Sequence, residues 1–234
     1  MSEPQSVAEA LQQAVEGVYA AFAHHRLPAA IEYCDHCVGA EENEILMTVP
    51  LRQLSSEQLR RYAWKAMTTW GGDADFRHFL PRILEHLVAG EVWDTDGAIR
   101  KAANYGRGWP PEEWAAIDRL LGAWWAATLA AFPAPVSAPR VLEVLAERGG
   151  DPWRYLTLWN DRADESSVRH LADTIGDHAQ SMEPDDEWSR RVREWITSGV
   201  PTRILEAATL NATDPVVAAE YSQAHEYASW YESR

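Results

Sequence analysis

The chain holds two cysteines, and both stand in one short stretch, Cys34-Asp35-His36-Cys37. This spacing lets two thiolates take adjacent corners of a tetrahedron, so zinc is the first chemistry it suggests, with Cys34, Cys37 and His36 as ligands. A closed structural site wants a further donor, and none of His24, His25 or His78 stands at the spacing of a second ligand pair. A redox pair is the second chemistry. It calls for a helix N-terminus after a strand to lower a thiol pKa, and that pattern is missing around these residues. The surrounding sequence favours free thiols in a turn, with a zinc-dependent enzyme or sensor as the alternative function.

Two further clusters offer acid–base groups. In "SSVRHLADTIGDHAQ", His170, Asp173 and Asp177 fall on one side of a helix, which would set a base beside two carboxylates. Val168, Leu171 and Ile175 define the buried side of that helix, so His170 is expected to point to solvent. On the polar back of "DFRHFLPRILEHLV", His78, Arg82, Glu85 and His86 recur on consecutive turns and form a candidate partner-binding strip. A structural role for Arg82 competes, because an arginine beside Pro81 can satisfy a carbonyl that the proline leaves without a donor. No zinc-protease helix, nucleophile elbow, P-loop or Gly-rich dinucleotide turn occurs, so the known catalytic signatures are absent; this favours a non-enzyme and leaves the metal-dependent alternative open.

The elements that must position these groups are helical. "SVAEALQQAVEGVYAAF" pairs Ser6 with Glu9 as a capping box before apolar residues at helical spacing. A short helix is predicted around Glu42–Met47, with Pro50 closing it. "SSEQLRRYAWKAMTTWGG" repeats the capping pattern with Ser55 and Gln58, then runs an apolar stripe through Leu59, Tyr62, Ala63, Ala66, Met67 and Trp70 to a stop at Gly71. The next helix begins on acidic residues, carries Phe76, Phe79, Leu80, Ile83, Leu84, Leu87 and Val88, and ends at Gly90, with Pro81 expected to bend it or delay its start. Further helices are predicted at Thr95–Tyr105, Pro111–Phe132, Ala138–Arg148, Trp153–Trp159, Ser166–Ala179, Asp185–Ser198, Thr202–Leu210 and Pro215–Tyr231. No sustained alternation marks a strand. The expected fold is therefore all-α, as stacked antiparallel hairpins in an irregular HEAT-like array or as a compact multi-helix bundle. One domain over residues 1–234 is expected, with the Pro-rich stretch 132–139 as its only seam.

The stretch "CDHC", followed by "PLRQLSSEQLRRYAWKAMTTWGG" and "DFRHFLPRILEHL", resembles the N-terminal part of a family of uncharacterised bacterial proteins. The resemblance implies a bacterial origin and carries no activity with it.

A formal charge of -15, from 36 acidic against 21 basic residues, favours basic partners and disfavours nucleic-acid phosphates. The acids are spread over 41–44, Asp94 and Asp96, and 183–187, which reads as a distributed anionic surface. The start "MSEPQSVAEALQQ" shows no basic and apolar leader, and the uncharged run from Leu120 to Pro139 is broken by Pro133 and Pro135, so no membrane span and a cytoplasmic location are expected. Twelve tryptophans are expected to be mostly structural. The leading functional expectation is an acidic, helical protein–protein interaction module of the immunity or antitoxin type, binding a basic protein partner.

Overall fold

The computed structural model describes residues 3–91, 96–162, 164–178 and 187–233, and it is all-α. Among them run α1 (Glu3–Phe22), α2 (Ala40–Thr48), α3 (Ser56–Lys65), α4 (Asp73–Val88), α5 (Asp96–Tyr105) and α6 (Pro111–Ala130). Then follow α7 (Ala138–Arg148), α8 (Trp153–Asn160), α9 (Glu165–His178), α10 (Glu187–Ile196), α11 (Val200–Asn211) and α12 (Pro215–Glu232). Among the described residues no strand forms, although isolated bridges join Trp70 to Tyr33 and to Ala66. No helix is long and apolar enough to cross a membrane among those residues. The predicted positions Asp94, Thr95, Ala179 and 183–186 lie outside the described residues.

The chain divides into two compact units, an N-terminal one of residues 8–124 and a C-terminal one of residues 125–234 with residues 1–7. The division falls inside α6, and the Pro-rich stretch 132–139 belongs to the C-terminal unit.

In the N-terminal unit α3 packs against α2, α4 and α5. The predicted capping box of α3 is present: the Gln58 N–H donates to Ser55 Oγ at 3.3 Å, and the Ser55 N–H donates to Gln58 Oε1 at 2.8 Å. By contrast Ser6 lies within α1, which begins at Glu3, so it does not cap that helix. Helix α3 also ends a turn before the apolar stripe does. Met67 takes a left-handed φ of 68°, the Thr69 and Trp70 N–H groups turn back to the Lys65 carbonyl, and Lys101 Nζ donates to the Ala63 and Trp64 carbonyls at the helix end. This turn seats Trp70, 1% exposed, with its indole N–H on Asn43 Oδ1 at 2.9 Å. A buried indole needs both an apolar socket and an acceptor, and the turn supplies them in Tyr62 and Asn43.

Helix α4 runs through Pro81 and is buried around most of its circumference, from Asp75 and Phe76 to His86, Leu87 and Val88. In the C-terminal unit α9 packs against α7, α11 and α12, and α11 and α12 form a hairpin. Buried tryptophans again find acceptors: Trp125 donates to the Tyr155 carbonyl, Trp159 to that of Ser167, and Trp195 to Asn160 Oδ1.

Candidate functional site

The cysteine turn is built by backbone bonds. The Cys37 and Val38 N–H groups both donate to the Cys34 carbonyl, at 2.9 and 3.0 Å, and the Cys34 N–H donates to the Thr69 carbonyl at 2.9 Å. Arg61 holds the turn from outside, donating to the Cys37 carbonyl at 2.8 Å and to Glu42 Oε1 at 2.5 Å. Both thiols are free, Cys34 is exposed, and the His36 side chain is 90% exposed beside Asp35. Cys34 borders a cleft of about 630 Å³ with Glu32, Tyr33, Thr69, Trp70 and Asp75. Among the described residues, Cys34, Cys37 and His36 are not gathered with further donors into a ligand cluster.

A different group converges. His24 and His25 follow the end of α1, where the His25 N–H donates to the Phe22 carbonyl and Phe22 is anchored in the core against Trp109. Both imidazoles aim at one carboxylate oxygen, with His24 Nε2 3.2 Å and His25 Nε2 2.7 Å from Glu113 Oε1. Glu113 sits in the first turn of α6, and its side chain is 0% exposed. Arg77, on α4, lies on the other side of that carboxylate. Its NH2 group donates to Oε1 at 2.6 Å and to Oε2 at 2.7 Å, and its guanidinium stands 5.1 Å from the Trp109 ring. Asp73 completes the group, 3.4 Å from Arg77 NH1 and accepting from the Trp109 indole N–H at 2.8 Å. With neutral imidazoles the cluster holds two carboxylates against one guanidinium, a surplus of one negative charge.

Trp109 stacks on Trp114 at 5.5 Å, and the turn between α5 and α6 can bring them together because residue 106 is glycine. A Cβ there would lie 2.8 Å from atoms of both rings.

The strip predicted on α4 is not a polar back. His86 is 3% exposed; its Nε2 meets the Leu54 carbonyl at 2.9 Å and its Nδ1 meets Glu91 Oε2 at 2.7 Å. Arg82 Nε donates to a carbonyl, that of Leu54 at 2.8 Å, and not to one at the proline. Arg82 also donates to Glu85 Oε2, which accepts the Tyr19 hydroxyl proton at 2.6 Å. His78 Nδ1 bonds the His25 carbonyl at 2.8 Å. Burial opposes ionisation of Glu85, but the Tyr19 hydroxyl and the Arg82 guanidinium outweigh it and hold the carboxyl below the usual glutamate range. Burial and the neighbouring carboxylate push the Tyr19 hydroxyl far up.

His170 corrects the solvated expectation. It is 2% exposed, its Nε2 bonds the Ala131 carbonyl at 2.9 Å, and its ring packs edge-on to Phe132. Helix α9 has neighbours on several sides, so its buried arc is wider than the stripe of Val168, Leu171 and Ile175. Asp173 is exposed; the Asp177 side chain lies outside the described residues.

Glu113 is the functional candidate that sequence reading missed. The adjacent pair His24-His25 was a visible signal, but its carboxylate partner lies 88 residues from His25, beyond any local spacing rule. No family profile, curated protein or solved structure matches this chain.

Proposed function

We propose that the protein is an interaction module whose α12 outer face docks a basic protein partner through an aromatic patch rimmed with carboxylates, as an immunity or antitoxin protein would. The observation that carries this reading is a stripe on α12. Val216, Glu220, Gln223, Tyr227 and Trp230 are exposed at steps of four, three, four and three, one face of a helix. Val216 is 65%, Tyr227 39% and Trp230 46% exposed, while Tyr221, Ala224 and Ala228 fill the opposite, buried face. Exposed aromatics in such a row are the residue types that anchor protein interfaces. Helix α12 contains Glu220, Glu226 and Glu232 and neither lysine nor arginine, and the whole chain carries -15, so charge complementarity selects a cationic partner.

The test compares wild type with Tyr227→Ala/Trp230→Ala on a lysate of the source cells. Wild type should retain a defined basic protein that raised salt releases and the variant does not hold, and that partner should slow amide exchange along α12. Equal retention by both proteins overturns the proposal. So does self-association of wild type that the variant loses, which would make the occupant a second copy.

A further inference from the structure

Independently of α12, we infer that His24, His25 and Glu113 form a binding site for one divalent transition-metal ion of the zinc class, with Arg77 as the outer partner of the ligating carboxylate. Three observations lead there. First, one ligand atom from each of the three residues lies within 4.8 Å of the other two. Ligands bound at zinc distances in a tetrahedron stand about 3.3 Å apart. His24 Nε2 is already 3.2 Å from Glu113 Oε1, and His25 Nε2, at 2.7 Å, must retreat by about half an ångström to reach that spacing. Second, the surplus negative charge of Glu113 and Asp73 over Arg77 calls for a cation, and each imidazole now meets that call with an N–H pointed at Oε1. An ion replaces those two protons at a single point, and the rings take their Nδ1–H form. Third, the outer shell exists without the ion. Arg77 NH2 holds both oxygens, Oε1 at 2.6 Å and Oε2 at 2.7 Å, and so orients the carboxylate, the part that outer-shell groups play at metal sites; an ion bound at Oε1 leaves the guanidinium its bond to Oε2.

Two imidazoles and one carboxylate leave a fourth coordination position, and the edge of the site is wet because the His24 side chain is 57% exposed. The site therefore takes a hydrated ion from solvent and keeps one position for water or a donor atom of a ligand. Glu113 is fully buried, and neither thiol belongs to this group of ligand atoms.

The experiment titrates metal-free protein with cobalt(II), reading the visible absorption of a four-coordinate ion, and then displaces cobalt with zinc(II). Wild type and Cys34→Ser/Cys37→Ser should each bind one equivalent with the same affinity. His24→Ala, at an exposed position that the fold tolerates, and His25→Gln should each weaken zinc by more than about tenfold while keeping the helical circular dichroism. The inference is overturned if wild type binds no ion, if the cysteine variant loses it, or if folded His24→Ala and His25→Gln bind as wild type does. Loss of metal binding would leave the α12 proposal standing, since Tyr227→Ala/Trp230→Ala probes a separate property.

Discussion

The cysteine turn and the His24–His25–Glu113 cluster are both in the N-terminal unit, and they stand in opposite relation to the sequence. The first is conspicuous along the chain, four consecutive residues with two thiols and an imidazole, yet in space Cys34, Asp35 and His36 are exposed, Cys37 is half-buried, and no further donor gathers there among the described residues. The second is inconspicuous along the chain and convergent in space, with a fully buried carboxylate at its centre. Motif spacing reports which ligands can reach one another within a turn. Whether a group is desolvated, and so whether its charge must be answered, depends on helices packing over it.

Mutations can break or sharpen this contrast. The largest effect is expected for Glu113→Ala, which takes the two-oxygen partner from the largely buried Arg77 guanidinium beside Trp109 and leaves it the longer contact to Asp73. Stability measured by urea unfolding should fall by about 3–5 kcal/mol, and the paired change Arg77→Met/Glu113→Leu should recover much of it, because removing both charges removes the desolvation cost as well. Should Glu113→Ala cost no more than a surface change, the cluster is not the buried knot its geometry indicates.

Gly106→Ala tests the aromatic floor of the same cluster. The new methyl collides with Trp109 and Trp114, and a loss of about 1–3 kcal/mol is expected in the same assay, with a changed tryptophan emission spectrum. An unperturbed spectrum would show that the indoles do not depend on the glycine.

Carboxylate chemistry nearer the surface should weigh less. Glu85 is held below its usual pKa by Tyr19 and Arg82, so it contributes stability that is present above the unfolded-state pKa and is lost as pH falls through the lowered folded value. The loss should therefore come below about pH 4. Tyr19→Phe should cost about 1–2 kcal/mol at neutral pH and flatten that acid limb. A limb as steep as that of wild type would assign the acid sensitivity to another carboxylate.

The smallest effect is expected at the conspicuous motif. Cys34→Ser/Cys37→Ser should change stability by no more than about 0.5 kcal/mol, since the turn is made by backbone groups that serine keeps. A larger loss would mean that the thiols hold something after all.

Much of the framework was readable in advance. The capping box of Ser55 and Gln58 is a contact three residues long, and it forms as expected. Helices α7, α8 and α12 begin at the predicted residues, because proline and acidic starts act locally. The errors have a common origin. Met67 and Trp70 fit a helical stripe, but the indole was claimed by Asn43 and the socket around Tyr62. His86 and His170 fall on polar arcs of their helices, but each helix has neighbours on more than one side, so those arcs are buried and their imidazoles bond backbone carbonyls.

By itself, the sequence determined the all-helical class, most helix boundaries and a strongly anionic chain, since each follows from propensity, periodicity, capping or composition within a few turns. Only the tertiary structure decided which polar groups are answered by other groups and which face solvent. It set Glu113 under Arg77, His24 and His25, left Tyr227 and Trp230 outside, and left Cys34 exposed with Cys37 half-buried. The physical reason is that burial belongs to the packing of distant segments, and a side chain's neighbours along the chain carry no record of it.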